Sequence, residues 1–263
     1  LVDLYSQQAI NFDRREILVL DDADRVLDLG FIDDIRHIQM LLPSKRQTLM
    51  FSATFSKEIK SLAKGMLNNP LLIEVDTATS AVDKIKQQLH PVDKERKSEV
   101  LIHLIKKNKW HQVLVFTRTK LGADSLVVQL EKARISAASI HSNRTQHART
   151  LALDGFRNGN VKVLIATDIA SRGIDVNQLP CVVNFELPYV PEDYVHRIGR
   201  TGRAGAFGLA VSLFSEDELK QLNSIERIIG RKFEREIIPG FAPKVKTPAV
   251  SSEDDEYGNF EAD

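Results

Sequence analysis

The sequence predicts an α/β protein made of two parallel-sheet lobes. Short apolar runs that indicate buried strands, such as residues 17–20, alternate with longer amphipathic stretches that indicate helices, such as residues 32–42. The alternation stops at residues 76–84, which are rich in Thr, Ala and Asp, and then starts again. Continuous apolar strands separated by helices are typical of a parallel sheet covered on both faces. We therefore expect two related lobes joined by a linker at 76–84.

The first lobe is predicted over residues 1–75 and the second over residues 85–240, with a disordered acidic tail at 241–263. In the first lobe the apolar runs predict strands at 17–20, 48–51 and 71–75, and the amphipathic stretches predict helices at 32–42 and 57–67. In the second lobe the predicted strands lie near 86–92, 113–117, 136–140, 162–167, 181–187 and 208–214, and the predicted helices near 95–107, 119–132, 145–158, 191–198 and 216–229.

The predicted helix at 95–107 has an apolar face and a charged face. Its apolar residues fall on one stripe, which consists of Val100, Leu101, Leu104 and Ile105. Its charged residues are expected to stay in solvent: Lys94, Glu95, Lys97, Lys106 and Lys107. The stripe predicts that the helix packs on the sheet of the second lobe.

Composition limits the class of protein. The chain has no net charge, but residues 251–263 carry six acidic residues and no Lys or Arg, so the first 250 residues carry a net charge of +6. The one cysteine, Cys181, lies in an apolar run and is expected in the core, which fits a reducing cytoplasm. Since no apolar run approaches the roughly 20 residues that a membrane span needs, we expect no membrane partner.

Polar residues follow the predicted strands at the carboxyl edge, where open parallel sheets carry their chemistry. Asp21, Asp22 and Asp24 follow the first strand. Asp21 suits Mg²⁺ bound through water, and Asp22 is placed to orient an attacking water, although the cluster could also be an acidic loop or a helix cap for 24–29. Ser52 and Thr54 follow the next strand and suit a hydroxyl relay to Asp24, or a cap for a helix near residue 56.

The second lobe has its own polar clusters, and Thr117 and Arg118 follow the strand predicted at 113–117, at the same edge of the sheet. Thr167, Asp168 and Gly173 lie in residues 166–175, where a glycine would let a phosphate–sugar backbone approach closely, or where the chain simply forms a loop. Gln146 and Arg149 begin a predicted helix and suit contacts to sugar and phosphate, or form only a solvated face.

The run from His196 to Arg203 is the most informative stretch. Arg200 and Arg203 stand three apart, so on one helical turn they would point the same way. Two guanidinium groups that converge on one point suit a polyphosphate, because each can hold phosphate oxygens bidentately. For an isolated pair of arginines, the alternative is a solvated basic turn.

Taken in order, these segments resemble the DEAD-box ATP-dependent RNA helicases, and within them the bacterial RhlE-like group. The acidic motif reads Asp21-Asp22-Ala23-Asp24 and the next motif Ser52-Ala53-Thr54, followed by residues 115–119, 166–175 and 196–203. The resemblance implies two RecA-like lobes, the first incomplete and the second complete, that bind ATP and RNA across a cleft and unwind RNA. It also implies that RNA is bound through its backbone without sequence preference, and that partners include ribosome-assembly or RNA-decay complexes.

The resemblance also implies a role for each site residue. Asp21 and Asp22 would serve Mg²⁺ and the attacking water, and Arg200 and Arg203 would act as arginine fingers on the γ-phosphate. Asp175 would contact the ATP ribose. The residues that would couple nucleotide to RNA are Asp24, Ser52, Thr54 and His196, and those that would hold the RNA backbone are Arg118, Gln146, Arg149, Thr167, Asp168 and Gly173.

Two departures from the family pattern lower the activity we expect of this polypeptide. Its sequence contains no GxxxxGK[ST] loop to cradle the phosphates, so the first lobe would lack part of its sheet. Asp22 stands at the position where the family has Glu. Its shorter side chain leaves the carboxylate about 1.5 Å short, and a misplacement near 1 Å can cost on the order of 100-fold in rate. We therefore expect little or no ATP hydrolysis by this polypeptide alone, and the alternatives are a non-catalytic RNA-backbone-binding module or a split-gene remnant.

Overall fold

The structure is a computed structural model that describes residues 1–28, 30–52, 57–73, 85–171, 179–202 and 208–244. The chain divides into two compact units, residues 1–75 and residues 76–263, which we call unit 1 and unit 2. Each unit is α/β with a parallel sheet, as the sequence predicts.

Unit 1 contains a two-stranded parallel sheet, in which Ile17 pairs with Gln47 and Leu20 with Met50. Both strands lie within one residue of their predicted positions. The described elements are α1 Val2–Ser6, β1 Ile17–Leu20, α2 Ala23–Asp28, α3 Ile32–Leu41, β2 Gln47–Met50 and α4 Lys57–Met66.

The sheet of unit 1 is covered on one face. Buried residues of α4, which include Ile59 and Leu62, pack with Leu18 and Leu20 of β1. The alternate residues of β1, Ile17 and Val19, are 58% and 54% exposed. The described part of this unit therefore lacks the doubly covered sheet that is typical of such apolar runs, and its exposed apolar face agrees with the prediction of an incomplete first lobe.

The strand predicted at 71–75 is not formed at residues 71–73, and residues 74 and 75 lie outside the described part. Leu71 and Ile73 are 84% and 73% exposed. An apolar run forms a strand only where a neighbouring strand accepts its backbone hydrogen bonds. In the described part of unit 1, the hydrogen-bonded strands are β1 and β2 alone.

Unit 2 contains a six-stranded parallel sheet with the order β3-β8-β7-β4-β6-β5. The described strands are β3 Ile85–Pro91, β4 Val113–Phe116, β5 Ala137–Ile140, β6 Val163–Ala166, β7 Cys181–Asn184 and β8 Gly208–Phe214. The described helices are α5 Lys97–Lys107, α6 Lys120–Lys132, α7 Gln146–Arg157, α8 Asp168–Ser171, α9 Pro191–Ile198 and α10 Leu219–Ile229, with single 3₁₀ turns at Lys94–Arg96 and Glu216–Glu218.

The sheet of unit 2 carries buried residues on both faces, as the continuous apolar strands predict. On β4, Val113 and Val115 pack with α5 and α6, whereas Leu114 and Phe116 belong to a second cluster that includes Phe156 of α7. Cys181 is buried as predicted, and burial raises the pKa of its thiol.

A segment after α10 runs along β3, which is an edge strand of the sheet. Leu89 bridges to Arg235, and the Glu236 amide donates to the Leu89 carbonyl at 2.8 Å. Beyond the predicted end of the lobe at 240, the Arg96 guanidinium lies 4.7 Å from the centre of the Phe241 ring. We call residues 233–244 the edge segment, because they cover the β3 edge.

No helix in the described ranges is both long and apolar enough to cross a membrane.

Candidate functional site

Four strands of unit 2 place their carboxyl ends side by side. In the order β5, β6, β4 and β7, neighbouring strands are hydrogen-bonded in register. Thr167 and Asp168 follow β6, and Thr117 and Arg118 follow β4. The sequence prediction that these residues share one edge is therefore confirmed.

A buried arginine ties this edge together. Arg197 of α9 donates to both carboxylate oxygens of Asp168 at 2.6 and 2.8 Å, and to the Glu186 carbonyl at 2.7 Å. It also donates to Asn184 Oδ1 at 3.2 Å, and its guanidinium lies 5.0 Å from the centre of the Phe116 ring. Arg197 therefore links β4, β7 and α8 with a charge that is almost fully buried.

Arg197 is not among the site residues predicted from the sequence, although its position on α9 carries a signal. Tyr194, Arg197 and Ile198 are all buried, and their spacing is that of one face of a helix. An arginine on a buried face implies an acidic partner, because an unpaired buried charge is costly. That partner is Asp168, whose side chain is 24% exposed.

Arg118 is also held by the protein. Its Nε donates to the Leu187 carbonyl at 2.6 Å, and its Nη2 donates to Glu218 Oε1 at 2.6 Å. Its backbone amide donates to Glu186 Oε2 at 2.8 Å. The guanidinium faces the exposed ring of Tyr189, with 4.5 Å between the guanidinium carbon and the ring centre.

Lys97 is buried, so the prediction that it stays in solvent with the other charged residues of its helix is wrong. Its Nζ donates to the carbonyls of Phe185 and Leu213 at 3.0 and 3.1 Å, and forms a short ion pair with Glu218. Burial lowers the pKa of Lys97, although the Glu218 carboxylate opposes this. The spacing from Lys97 to Leu101 and Leu104 already places it on the apolar stripe.

A second polar cluster fixes the loop before α7. Asp124 Oδ1 accepts from Ser139 at 2.6 Å, from Arg144 at 2.7 Å and lies 3.0 Å from His141 Nε2. Partial burial raises the pKa of Asp124, but the hydrogen bonds from Ser139, His141 and Arg144 outweigh this and hold it below its ordinary value. Asp124 was not identified from the sequence.

The helix start predicted at Gln146 and Arg149 is confirmed. Thr145 caps α7 by accepting from the Ala148 amide at 3.2 Å, and Gln146 is exposed. Arg149 Nη2 donates to the Ala170 carbonyl at 3.4 Å, which connects α7 to α8.

Arg200 does not lie on the helical turn that the sequence predicts for it and Arg203, and Arg203 lies outside the described residues. Helix α9 ends at Ile198, and the chain turns at Gly199 and Arg200. The Arg200 carbonyl accepts from the Leu179 amide at 3.1 Å, and Gly202 has φ +69°, a left-handed conformation that interrupts a helix. His196 is half-buried on α9. Four of the predicted site residues lie outside the described ranges: Thr54, Gly173, Asp175 and Arg203.

In unit 1 the acidic cluster follows β1. Asp21 and Asp22 are exposed, and the Asp22 amide donates to Asp21 Oδ1 at 3.0 Å. Asp22 has φ +50°, which is uncommon outside glycine and which aspartate tolerates better than most residues. Asp24 is buried in the first turn of α2, and the Ala23 amide donates to the Phe51 carbonyl at 3.0 Å, so Ser52 follows at the neighbouring strand end.

The exposed carboxylate of Asp21 fits Mg²⁺. Mg²⁺ prefers oxygen ligands, keeps several waters and is usually held by one or two carboxylates together with substrate phosphates. Among the described residues, no group of three or more His, Cys, Asp and Glu side chains could hold a metal by itself.

Comparison with known proteins identifies the class to which this fold and these motifs belong. The DEAD/DEAH box helicase model matches residues 1–62, and the helicase conserved C-terminal domain model matches residues 96–205. The structure is similar to S. cerevisiae Dbp5 bound to RNA and ADP BeF3, with a TM-score of 0.81 and 30% identity over 92% of this chain and 63% of that one. It is also similar to E. coli SrmB bound to regulator of ribonuclease activity A, with a TM-score of 0.59 and 34% identity over 63% of this chain and 98% of that one.

Among curated relatives, the chain is 42% identical to the ATP-dependent RNA helicase RhlB of Pseudomonas syringae over 91% of its own length and 61% of that protein. It is 38% identical to the DEAD-box ATP-dependent RNA helicase CshA of Geobacillus kaustophilus over 89% of its length and 50% of that protein. The chain belongs to the DEAD-box ATP-dependent RNA helicase family, and it spans about half to three fifths of the length of these relatives. The finer placement in the RhlE-like group stays a prediction.

Proposed function

We propose that this protein couples ATP hydrolysis to the unwinding or remodelling of RNA, the activity for which its relatives are named. The observation that carries the proposal is the match of both helicase domain models in order, with polar residues at the carboxyl edge of each sheet. Hydrolysis at a γ-phosphate requires ATP as the substrate, and Mg²⁺ would neutralise part of the negative charge of the ATP phosphates.

In unit 1, Asp21 would hold Mg²⁺ through water, and the Asp22 carboxylate would orient the water that attacks the γ-phosphate. Asp24, Ser52 and Thr54 would couple the nucleotide to RNA, together with His196 of unit 2.

In unit 2, Arg200 and Arg203 would stabilise the charge that develops on the γ-phosphate, and Asp175 would contact the ribose. The residues that would hold the RNA backbone are Arg118, Gln146, Arg149, Thr167, Asp168 and Gly173. Because Asp168 accepts two bonds from Arg197, we propose that it acts mainly by positioning the segment that follows β6.

The proposed RNA contacts are made to phosphate and sugar, so binding would be tolerant of sequence. The structure of Dbp5 bound to RNA has a similar fold, and this similarity supports RNA as the partner of this protein. We also propose a cytoplasmic location and participation in ribosome-assembly or RNA-decay complexes. For the participation in complexes, the support is that the related protein SrmB binds regulator of ribonuclease activity A.

The test is phosphate release from ATP with and without single-stranded RNA, together with an RNA titration at several salt concentrations. Phosphate release that RNA stimulates would support the proposal, and Arg200→Ala should abolish that stimulation. Since the sequence contains no GxxxxGK[ST] loop, we propose that this polypeptide alone hydrolyses ATP little or not at all.

A second candidate is a non-catalytic RNA-backbone-binding module. It is favoured by unit 2, whose six-stranded sheet is covered on both faces and carries the proposed RNA contacts at one edge. Salt-dependent RNA binding without RNA-stimulated phosphate release would establish this candidate.

A further inference from the structure

Tyr189 is an exposed aromatic residue with an ordered support. The residue is 71% exposed, in the loop between β7 and α9. One face of the ring lies against the Arg118 guanidinium, whose central carbon is 4.5 Å from the ring centre. A guanidinium on one face favours this ring position by a cation–π interaction. The exposed remainder of the ring is available to a ligand.

The loop that carries the ring is clamped from below. The Leu187 carbonyl accepts from Arg118 Nε at 2.6 Å, and the Leu187 amide donates to Glu218 Oε1 at 3.0 Å. Leu187 and Glu218 are buried, and Glu218 also pairs with Lys97. Because Arg118 is fixed by the same carboxylate, the ring and its support are positioned together. A ligand that stacks on Tyr189 would therefore meet a surface with little conformational freedom left to lose.

The position of Tyr189 continues the row of proposed RNA contacts. The carboxyl ends of β5, β6 and β4 lead to Gln146, Thr167 and Arg118, and β7 is the next strand in the sheet. Adjacent strands are about 4.8 Å apart. Tyr189 follows β7 in the chain, so it lies one strand beyond the end of that row.

We propose that Tyr189 is a stacking platform for a nucleobase of single-stranded RNA bound along this edge. The inference rests on the proposed RNA binding and adds to it a base contact, whereas the other proposed contacts are to the backbone. Single-stranded RNA is commonly bound by bases that stack on aromatic side chains. Stacking tolerates any sequence, because every base has a π-face. The charged support of the ring favours a stacked base over an apolar protein anchor.

The test measures the affinity of the 263-residue polypeptide for a fluorescein-labelled single-stranded RNA of mixed sequence at one salt concentration. Tyr189→Ala should weaken binding by about 5-fold or more, as expected for loss of one stacked base. Tyr189→Trp should keep the affinity, because indole also stacks. Ile228→Ala, an exposed residue of α10, is the matched control and should have no effect.

Two further measurements identify the contact as stacking. With an RNA of the same length that lacks its bases, wild type and Tyr189→Ala should bind equally. With 2-aminopurine in the RNA, binding to wild type should quench the fluorescence more than binding to Tyr189→Ala. Binding by wild type with no change in Tyr189→Ala, or an equal loss on abasic RNA, would overturn the platform alone and would leave the ring to a protein partner. Failure of wild type to bind RNA would overturn both the platform and the proposed function.

Discussion

In unit 1 the acidic residues that follow the first strand, Asp21 and Asp22, are exposed and held by local backbone geometry. In unit 2 the residues that follow β4 and β6 are tied into the protein by Arg197 and Glu218, which are buried. The difference shows that residues at similar positions on a parallel sheet can contribute very differently to the stability of the fold. Substitutions at the unit 2 edge should change stability as well as function, whereas those at the unit 1 edge should change mainly function.

The largest effect is expected from Glu218→Gln. This substitution leaves Lys97 and Arg118 without their shared carboxylate, and breaking a buried ion pair costs about 3–5 kcal/mol. The free energy of unfolding can be measured by urea denaturation, with the single tryptophan, Trp110, as the reporter in unit 2. Glu216→Gln, in the same 3₁₀ turn but exposed, is the control and should stay near wild type. Equal stability of both variants would contradict the comparison.

Arg197→Lys should have the next largest effect. Lysine cannot make two parallel bonds to Asp168, and loss of a hydrogen bond between charged groups costs about 2 kcal/mol. The same tryptophan-monitored urea transition measures the change. Arg227→Lys, at an exposed position of α10, is the matched control. A wild-type transition in Arg197→Lys would mean that the bidentate pair contributes little.

Asp217 predicts a smaller, pH-dependent effect. Hydrogen bonds from Ser215 and then from Lys94 lower the pKa of Asp217 from 3.8 to about 2 in the folded state. A lowered carboxyl pKa stabilises the fold above the unfolded pKa, and the stabilisation is lost as the pH falls towards 2. Because the side chain is 51% exposed, the contribution should stay below about 1 kcal/mol. Urea midpoints between pH 6 and pH 2 should therefore fall less steeply in Asp217→Asn than in wild type, and parallel curves would count against this assignment.

The smallest effect is expected at Asp22, in unit 1. Glycine adopts φ +50° without strain but loses more entropy on folding, so Asp22→Gly should stabilise unit 1 by at most about 0.5 kcal/mol. Hydrogen exchange of peptides from β1 and α2 can detect this change. Asp33→Gly, in the first turn of α3, should instead destabilise by about 1 kcal/mol. Destabilisation by Asp22→Gly would show that the aspartate side chain supports the turn.

The part of the fold that follows from periodicity could be predicted from the sequence. Helix α9 was predicted with its bounds, and Pro191 suits its first position, with Glu192 and Asp193 near its positive end. The run at 71–73 has the composition of a strand, but its neighbours decide whether it forms one. A single sequence shows the composition of such a run, but it does not show which strands lie beside the run in the fold.

The site was predictable where it depends on strand ends, and less so where it depends on long-range partners. Thr167 and Arg118 were placed at the carboxyl edge from sequence. The Arg197–Asp168 pair joins residues 29 apart, and the Lys97–Glu218 pair joins residues 121 apart. Helical spacing could have placed Lys97 and Arg197 on buried faces, but it could not name the carboxylate that each would meet.

The edge segment has a consequence for the behaviour of the protein in solution. Strand β3 ends the six-stranded sheet, and an open edge is a template on which another chain can add a strand. The bond from Glu236 to Leu89 occupies one of these positions, and the side chain of His90 contacts the Glu236 carbonyl at 2.7 Å. Because residues of this segment occupy part of the β3 edge, we expect a chain that ends before residue 233 to form oligomers through β3 more readily than the full polypeptide.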